Sequence, residues 1–324
     1  MTKLLLLQKI KDQDLAQIRR DFPDLELISV DQMTDELVDQ IEIVYGQFSQ
    51  FQKGYGFSPW FGKVVPNGKS LKWVQTISAG IDFLPLDQLA KRGIVVSNMS
   101  GLHSEAISEN VLAYILVLNR GLKFALANQI KQSWNFNFPK IKQLQDKKIL
   151  IFGTGAIGSA VAKLLQAFNV EVIGVNRHGK DLQYFDQVIT HDQLRNFADA
   201  DYLISDMPLT AQTRGYFNLD FFSLFKKQPI FINVGRGPSV IEKDLAKALE
   251  DNILSGAALD VFDHEPLASD SPLWKMENVI VTPHSSALLE HFQRDAYKIF
   301  GPNLKSYLAN GKLAVNEVNL KEGY

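Results

Sequence analysis

Cysteine is absent from the 324 residues. Its absence removes disulfides, thiolate zinc and iron–sulfur sites, and every mechanism built on a cysteine nucleophile, so chemistry must run on oxygen, nitrogen and a borrowed cofactor. Bulk charge is lacking too. The 34 Lys and Arg against 36 Asp and Glu leave −2, which offers no positive field to nucleic acid or anionic lipid. Long hydrophobic runs are also missing: Val111–Leu118 is about half of what spans a bilayer, and Leu4–Leu7 falls short of the roughly 7–15 residues of a signal-peptide core. A cytoplasmic chain with no membrane and no nucleic-acid partner follows as the expectation. No HExxH, EF-hand loop or clustered ligand spacing appears, which argues against a metal. GKVVPNGKS (Gly62–Ser70) imitates a phosphate loop but has five residues between its glycines where four are needed, Pro66 among them, and reads as an ordinary loop.

What is present is an ordinary globular composition, 46% apolar and 22% charged, in a length that suits two domains of about 150 residues. Short strand-like runs (Leu4–Leu7, Leu25–Val30, Glu42–Tyr45, Trp73–Ile77, Ile94–Val96) alternate with helix-compatible segments, the pattern of parallel α/β layering. A long helix is expected from Ser104, its N-cap, to near Lys131, since Ile107, Val111, Ile115, Leu118 and Leu122 recur at helical spacing. SWNFNFPKIKQLQ (Ser133–Gln145) then reads as a connector.

A second series follows: KKILIFG, a helix, VEVIGVN, a helix, DYLIS, a helix, PIFINV, a helix, GAALDVF and NVIVTPH. Six strands with crossovers make a complete doubly wound sheet. A helical pattern from Ala287 to about Asn310 and a short strand at Lys312–Val315 remain. The first series lacks a closing helix while the tail has one to spare, so the C-terminal helix is expected to return. The expected fold is therefore α/β with two doubly wound domains, a Rossmann cofactor domain at 102–288 inserted into a flavodoxin-like substrate domain at 1–101 plus 289–324.

GTGAIG directly follows the strand Lys148–Phe152 and opens a helix, and another strand follows at once. In that βαβ setting Gly153 serves the tight turn, Gly155 the approach of a pyrophosphate, and Gly158 close helix–strand packing, with Thr154, Ala156 and Ile157 in the same cradle. The residue ending the next strand distinguishes NAD from NADP. It is Asn176, followed by Arg177, His178 and Lys180; no carboxylate is there to repel a 2′-phosphate, and cations are there to pair with one. The cofactor is expected to be NADP or NAD, with NADP favoured.

Histidine suits proton transfer at neutral pH. Of the six, His191 and His291 lie in polar helix-like stretches, His178 belongs to the cofactor turn, and His103 precedes a helix. His264 and His284 remain, and His284 is the better candidate because it ends a strand, where ligands of such sheets sit. Glu265 is its natural partner, fixing the ring and favouring its charged form. Arg236, between Gly235 and Gly237, follows a strand and presents a guanidinium able to grip a carboxylate or ketone oxygen.

GTGAIG, PLTAQTRGYFN, NVGRGPSV, GAALDVFDHEPL and TPHSSA together resemble, in order and spacing, the NAD(P)-dependent D-isomer-specific 2-hydroxyacid dehydrogenases. The resemblance extends to LKWVQTISAGIDFLPLDQLAKRGIVVSN. The short connector and the tail ending in GY look most similar to the glyoxylate/hydroxypyruvate reductase branch, with phosphoglycerate dehydrogenase the nearest competing label. The resemblance implies Arg236, Glu265 and His284 as the catalytic set and the backbone amides of Ala79, Gly80 and Ile81 for the substrate carboxylate. It also implies Asp260, Met207, Pro208, Thr213, Val234 and Gly235 around the cofactor, a small 2-keto or 2-hydroxy acid as partner, and a homodimer. Asn176, Asp206, Ser285 and Ser286 depart from the family pattern. A dinucleotide-sensing corepressor on the same fold is the rival from another class. The aromatic loop 48–61 has no assigned role.

Overall fold

The computed structural model describes residues 1–47 and 57–322; most of the aromatic loop 48–61 and the GY end thus lie outside the described residues. The chain divides into two compact units, Met1–Leu102 with Leu289–Tyr324, and His103–Leu288.

Among the described residues the first unit holds five parallel strands, β1 (Thr2–Leu6), β2 (Leu25–Ser29), β3 (Ile43–Tyr45), β4 (Trp73–Gln75) and β5 (Val95–Ser97), in the order β2-β1-β3-β4-β5. Leu5, Val44, Val74 and Val96 face one side and Leu4, Ile43 and Trp73 the other. A parallel sheet buried on both faces needs apolar residues at successive positions, which is why the strands read as runs rather than alternations. The helix Phe292–Asn310 covers the second side, with Ala296, Phe300 and Leu304 fully buried and the Phe300 ring 4.0 Å from that of Tyr45.

Two expectations fail in this unit. Lys312–Val315 is not a strand: the buried Asn303 side chain accepts from the Ala314 and Val315 amides (2.9 Å each) and donates to the Val315 carbonyl (3.1 Å), taking the backbone groups a neighbouring strand would pair. The imitation phosphate loop is not a loop either, since Gly62–Asn67 continue the helix Pro59–Asn67, with Pro66 in its last turn.

The second unit carries seven parallel strands: β6 (Lys148–Phe152), β7 (Glu171–Val175), β8 (Gln187–Ile189), β9 (Tyr202–Ser205), β10 (Ile230–Asn233), β11 (Gly256–Leu259) and β12 (Val279–Val281). Their order, β12-β11-β10-β9-β6-β7-β8, reverses direction between β6 and β9, the switch point at which doubly wound sheets bind ligands. Sequence reading missed β8. A helix was expected between β7 and β9, but the segment forms this three-residue strand and a 3-10 turn, His191–Phe197, started by a Thr190–Gln193 capping box. The β9–β10 helix is only Leu219–Phe222.

The long helix after Ser104 is two, Ser104–Asn119 and Leu122–Ile130, bent by 72°. Gly121 sits at φ +62°, and a side chain there would meet the Phe138 ring at 3.0 Å, so the connector packs into the bend. His103, not Ser104, is the N-cap residue. Among the described residues no single helix is long and apolar enough to cross a membrane.

Candidate active site

At the carboxyl end of β6, Gly153 adopts φ +101°, and a Cβ on it would lie 2.5 Å from the Asp206 carbonyl oxygen. A Cβ on Gly158 would overlap the Gly153 carbonyl, whereas one on Gly155 meets nothing within 4 Å. Two glycines are thus required by the protein's own packing, and the third opens onto free space at the start of the helix Ala156–Leu165, whose N-terminal turn favours anions. Thr154, Ala156 and Ile157 complete that turn, and the cradle fits a dinucleotide diphosphate.

Asn176 is more than a missing carboxylate. Its amide donates to Thr154 Oγ1 (2.8 Å) while its carbonyl oxygen accepts from the His178 and Gly179 amides (2.8 Å each), tying the glycine loop to the exposed turn bearing Arg177, His178 and Lys180. Beside this loop Met207 is buried, and Thr213 closes the turn from Pro208 by donating to the Pro208 carbonyl at 2.7 Å and accepting from the Thr210 amide at 2.7 Å. Val234 is buried at the end of β10, and a Cβ on Gly235 would lie 2.9 Å from the Met207 carbonyl.

The proton-transfer candidates assemble on the β11 and β12 side of the same sheet. His284 Nδ1 lies 2.8 Å from Glu265 Oε2, and Glu265 Oε1 accepts from the Phe262 amide at 3.0 Å. The Glu265 hydrogen bond raises the His284 pKa against the opposing effect of burial. For Glu265, burial pushes upward, but the His284 and Phe262 hydrogen bonds prevail and the pKa is lowered. The two shifts agree on a charged pair. His264, the alternative, has a side chain 96% exposed and lies 3.6 Å from Asp263.

Arg236 projects from the turn after β10 with Nη1 donating to the Gly235 carbonyl (2.9 Å), and its charge acts on both Glu265 and His284. The next residue must be glycine, because a Cβ on Gly237 would overlap the Phe262 backbone; this close approach brings the Arg236 turn against the loop carrying Glu265.

Asp260, fully buried, holds the His284 turn. Its carboxylate accepts from Thr282 Oγ1 (2.6 Å), the Ser285 amide (2.9 Å), the Ser286 amide (3.0 Å) and Ser286 Oγ. Ser286 therefore has a structural purpose, and His284 at φ +51° is kept in that turn by its own amide donating to the Asp260 carbonyl. His103 and His191 have other duties: His103 Nδ1 lies 2.8 Å from the Ala287 carbonyl and His191 Nδ1 2.7 Å from Tyr216 Oη.

In the first unit, the Ala79 carbonyl accepts from Asn98 Nδ2 (2.7 Å) and the Gly80 carbonyl from Ser78 Oγ (2.8 Å), while Ile81 is buried. No acceptor for the amides of Ala79, Gly80 and Ile81 appears among the described residues. Successive amides of that kind suit a carboxylate.

A glycine cradle at the switch point and a histidine–carboxylate pair at the strand ends of the same sheet define a nicotinamide-dependent oxidoreductase of the doubly wound class. Residues 112–286 match the model of the D-isomer specific 2-hydroxyacid dehydrogenase NAD-binding domain. A glyoxylate reductase of Thermofilum pendens is 35% identical over 72% of this chain and 71% of its own. Among solved structures, phosphoglycerate dehydrogenase from Lactobacillus plantarum is 36% identical, with TM-score 0.58 over 98% of this chain and 100% of that one. The NADPH-dependent glyoxylate/hydroxypyruvate reductase of Sinorhizobium meliloti in complex with NADP and malonate is 25% identical, with TM-score 0.78 over 98% and 97%. The chain belongs to the D-isomer-specific 2-hydroxyacid dehydrogenases, NAD(P)-dependent oxidoreductases.

Proposed function

We propose that the chain reduces a small 2-keto acid of the glyoxylate or hydroxypyruvate class to the D-2-hydroxy acid, with NADPH preferred over NADH. The observation that carries the reading is the 2.8 Å contact between His284 and Glu265, which raises the His284 pKa and so favours its charged form. A bound reduced nicotinamide supplies the hydride to carbon 2. His284 gives its proton to the carbonyl oxygen and is left neutral, to be recharged from solvent. Glu265 fixes the ring and stabilises the charge before transfer. Arg236 polarises the carbonyl and orients the substrate carboxylate, which the amides of Ala79, Gly80 and Ile81 bind. In the oxidative direction neutral His284 accepts the hydroxyl proton.

NADPH preference is supported by Asn176, whose side chain is engaged with the loop, and by the cations that follow it. A homodimer is supported by exposed apolar side chains at and just after the end of the helix Leu122–Ile130: Ile130 (84%), Trp134 (99%) and Phe136 (85%). The second reading, phosphoglycerate dehydrogenase-type activity, is favoured by the name of the Lactobacillus relative.

The test is loss of 340-nanometre absorbance with NADPH and NADH across glyoxylate, hydroxypyruvate, pyruvate and bulkier keto acids, alongside oxidation of 3-phosphoglycerate. His284→Ala should bind cofactor normally while turnover falls about 10²- to 10⁴-fold; undiminished turnover sinks the assignment, and a clear NADH preference sinks the cofactor choice.

A further inference from the structure

Gln47 stands two residues past the end of β3, and its side chain is fully buried. A side-chain amide at that depth needs hydrogen bonds at both ends, and Gln47 directs both at the turn that follows β4. Its carbonyl oxygen accepts from the Ile77 amide at 2.7 Å, and its Nε2 donates to Ser78 Oγ at 2.7 Å. A hydroxyl has one proton to give. Because Ser78 accepts from Gln47, its own proton goes to the Gly80 carbonyl, 2.8 Å away. Two further side chains act alike: Thr76 Oγ1 donates to the Ser78 carbonyl at 3.1 Å, and Asn98 Nδ2 to the Ala79 carbonyl at 2.7 Å. Three successive carbonyls are thus drawn to side-chain donors. In a trans peptide the N–H of the next residue points the opposite way, so the same three bonds turn the amides of Ala79, Gly80 and Ile81 outward, where no acceptor among the described residues meets them.

We propose that Gln47 is a positioning residue of the substrate site, acting through Ser78 to hold the Gly80–Ile81 peptide with its N–H aimed at the carboxylate of the keto acid. The proposal rests on the reading of these amides as the carboxylate site and deepens it. It also gives a reason for a neutral amide at position 47: an ionised carboxylate of the same size could only accept, would take the Ser78 proton from the Gly80 carbonyl, and would set a negative charge beside an anion site.

Steady-state reduction of glyoxylate, hydroxypyruvate and pyruvate by the full chain is the test. For the best of these substrates, Gln47→Leu should raise KM about tenfold, while kcat and the KM of the nicotinamide cofactor stay within about threefold of wild type. Ser78→Ala should raise KM to a similar extent, and the double variant should match the worse single variant to within about twofold, since the two residues act in series. An unchanged KM, a fall in kcat as large as the rise in KM, or additive effects in the double variant each overturn the proposal. Amide spectra of protein labelled with ¹⁵N at Ala, Gly and Ile separate it from the reading beneath it. Oxamate added to the wild-type cofactor complex should shift the Ala79, Gly80 and Ile81 resonances; no shift overturns the carboxylate site and the proposal together. A shift that persists unaltered in Gln47→Leu overturns the proposal alone. If Gln47→Leu fails to fold, Ser78→Ala, at a half-buried position, decides by the same readouts.

Discussion

Two aspartates stand at strand ends of one sheet, Asp206 after β9 and Asp260 after β11, and the protein treats them oppositely. Asp260 is fully buried, yet two hydroxyls and two amides converge on it, so its charge organises the turn that carries His284. At Asp206 burial pushes the carboxyl up to about 7 against the pull of Arg236. Glu265 lies between them, bonded to one amide and one imidazole.

Asp260→Ala should have the largest effect. It orphans buried donors at a cost of about 1–3 kcal/mol each, so unfolding should come roughly 5–15 °C lower, with turnover at least about tenfold down as the His284 turn loosens. An unchanged melting temperature would mean the four contacts carry nothing. Ser286→Ala removes one of those donors and should lose about 1 kcal/mol, seen as a small fall in Tm with the pH profile intact.

Glu265→Gln moves the profile instead. Because the pair raises His284, the stability it contributes is complete below the ordinary histidine pKa and lost as pH rises through the raised value; Glu265, lowered, contributes above its ordinary range and loses this as pH falls. In the glutamine variant the high-pH limb of keto-acid reduction should shift to lower pH, and an unmoved limb would break the pairing. Asp206→Asn is the mildest and has the opposite sign. A raised carboxyl contributes stability below the ordinary carboxylate range and loses it as pH climbs to about 7, so the variant's Tm advantage over wild type should grow between about pH 4 and 7 and stay constant above.

The glycine cradle was legible in sequence because its constraints are backbone constraints: only glycine fits where Gly153 takes a positive φ and where Gly158 meets the Gly153 carbonyl. The strands were legible because both sheet faces are buried. His284 was preferred over His264 from strand position alone, and the structure puts His284, not His264, beside Glu265. What escaped depends on long-range partners. β8 is three residues long, and its pairing with β7 is invisible to any periodicity. The bend at Gly121 needed Phe138 to reveal it. The 312–315 segment reads as a strand until Asn303, about ten positions earlier in the chain, claims its amides.

The helix Phe292–Asn310 bears on how the chain is made. Tyr45 and Trp73 emerge early from the ribosome, but Phe300, which stacks on both, follows only after the whole inserted unit. At ordinary elongation rates that interval is about 10–40 seconds. Throughout it the first sheet has one bare aromatic face while residues 103–288 can already close. A ribosome stalled before Phe292 would therefore release a chain with a finished cofactor unit and a sticky, half-covered partner, a natural substrate for holding chaperones.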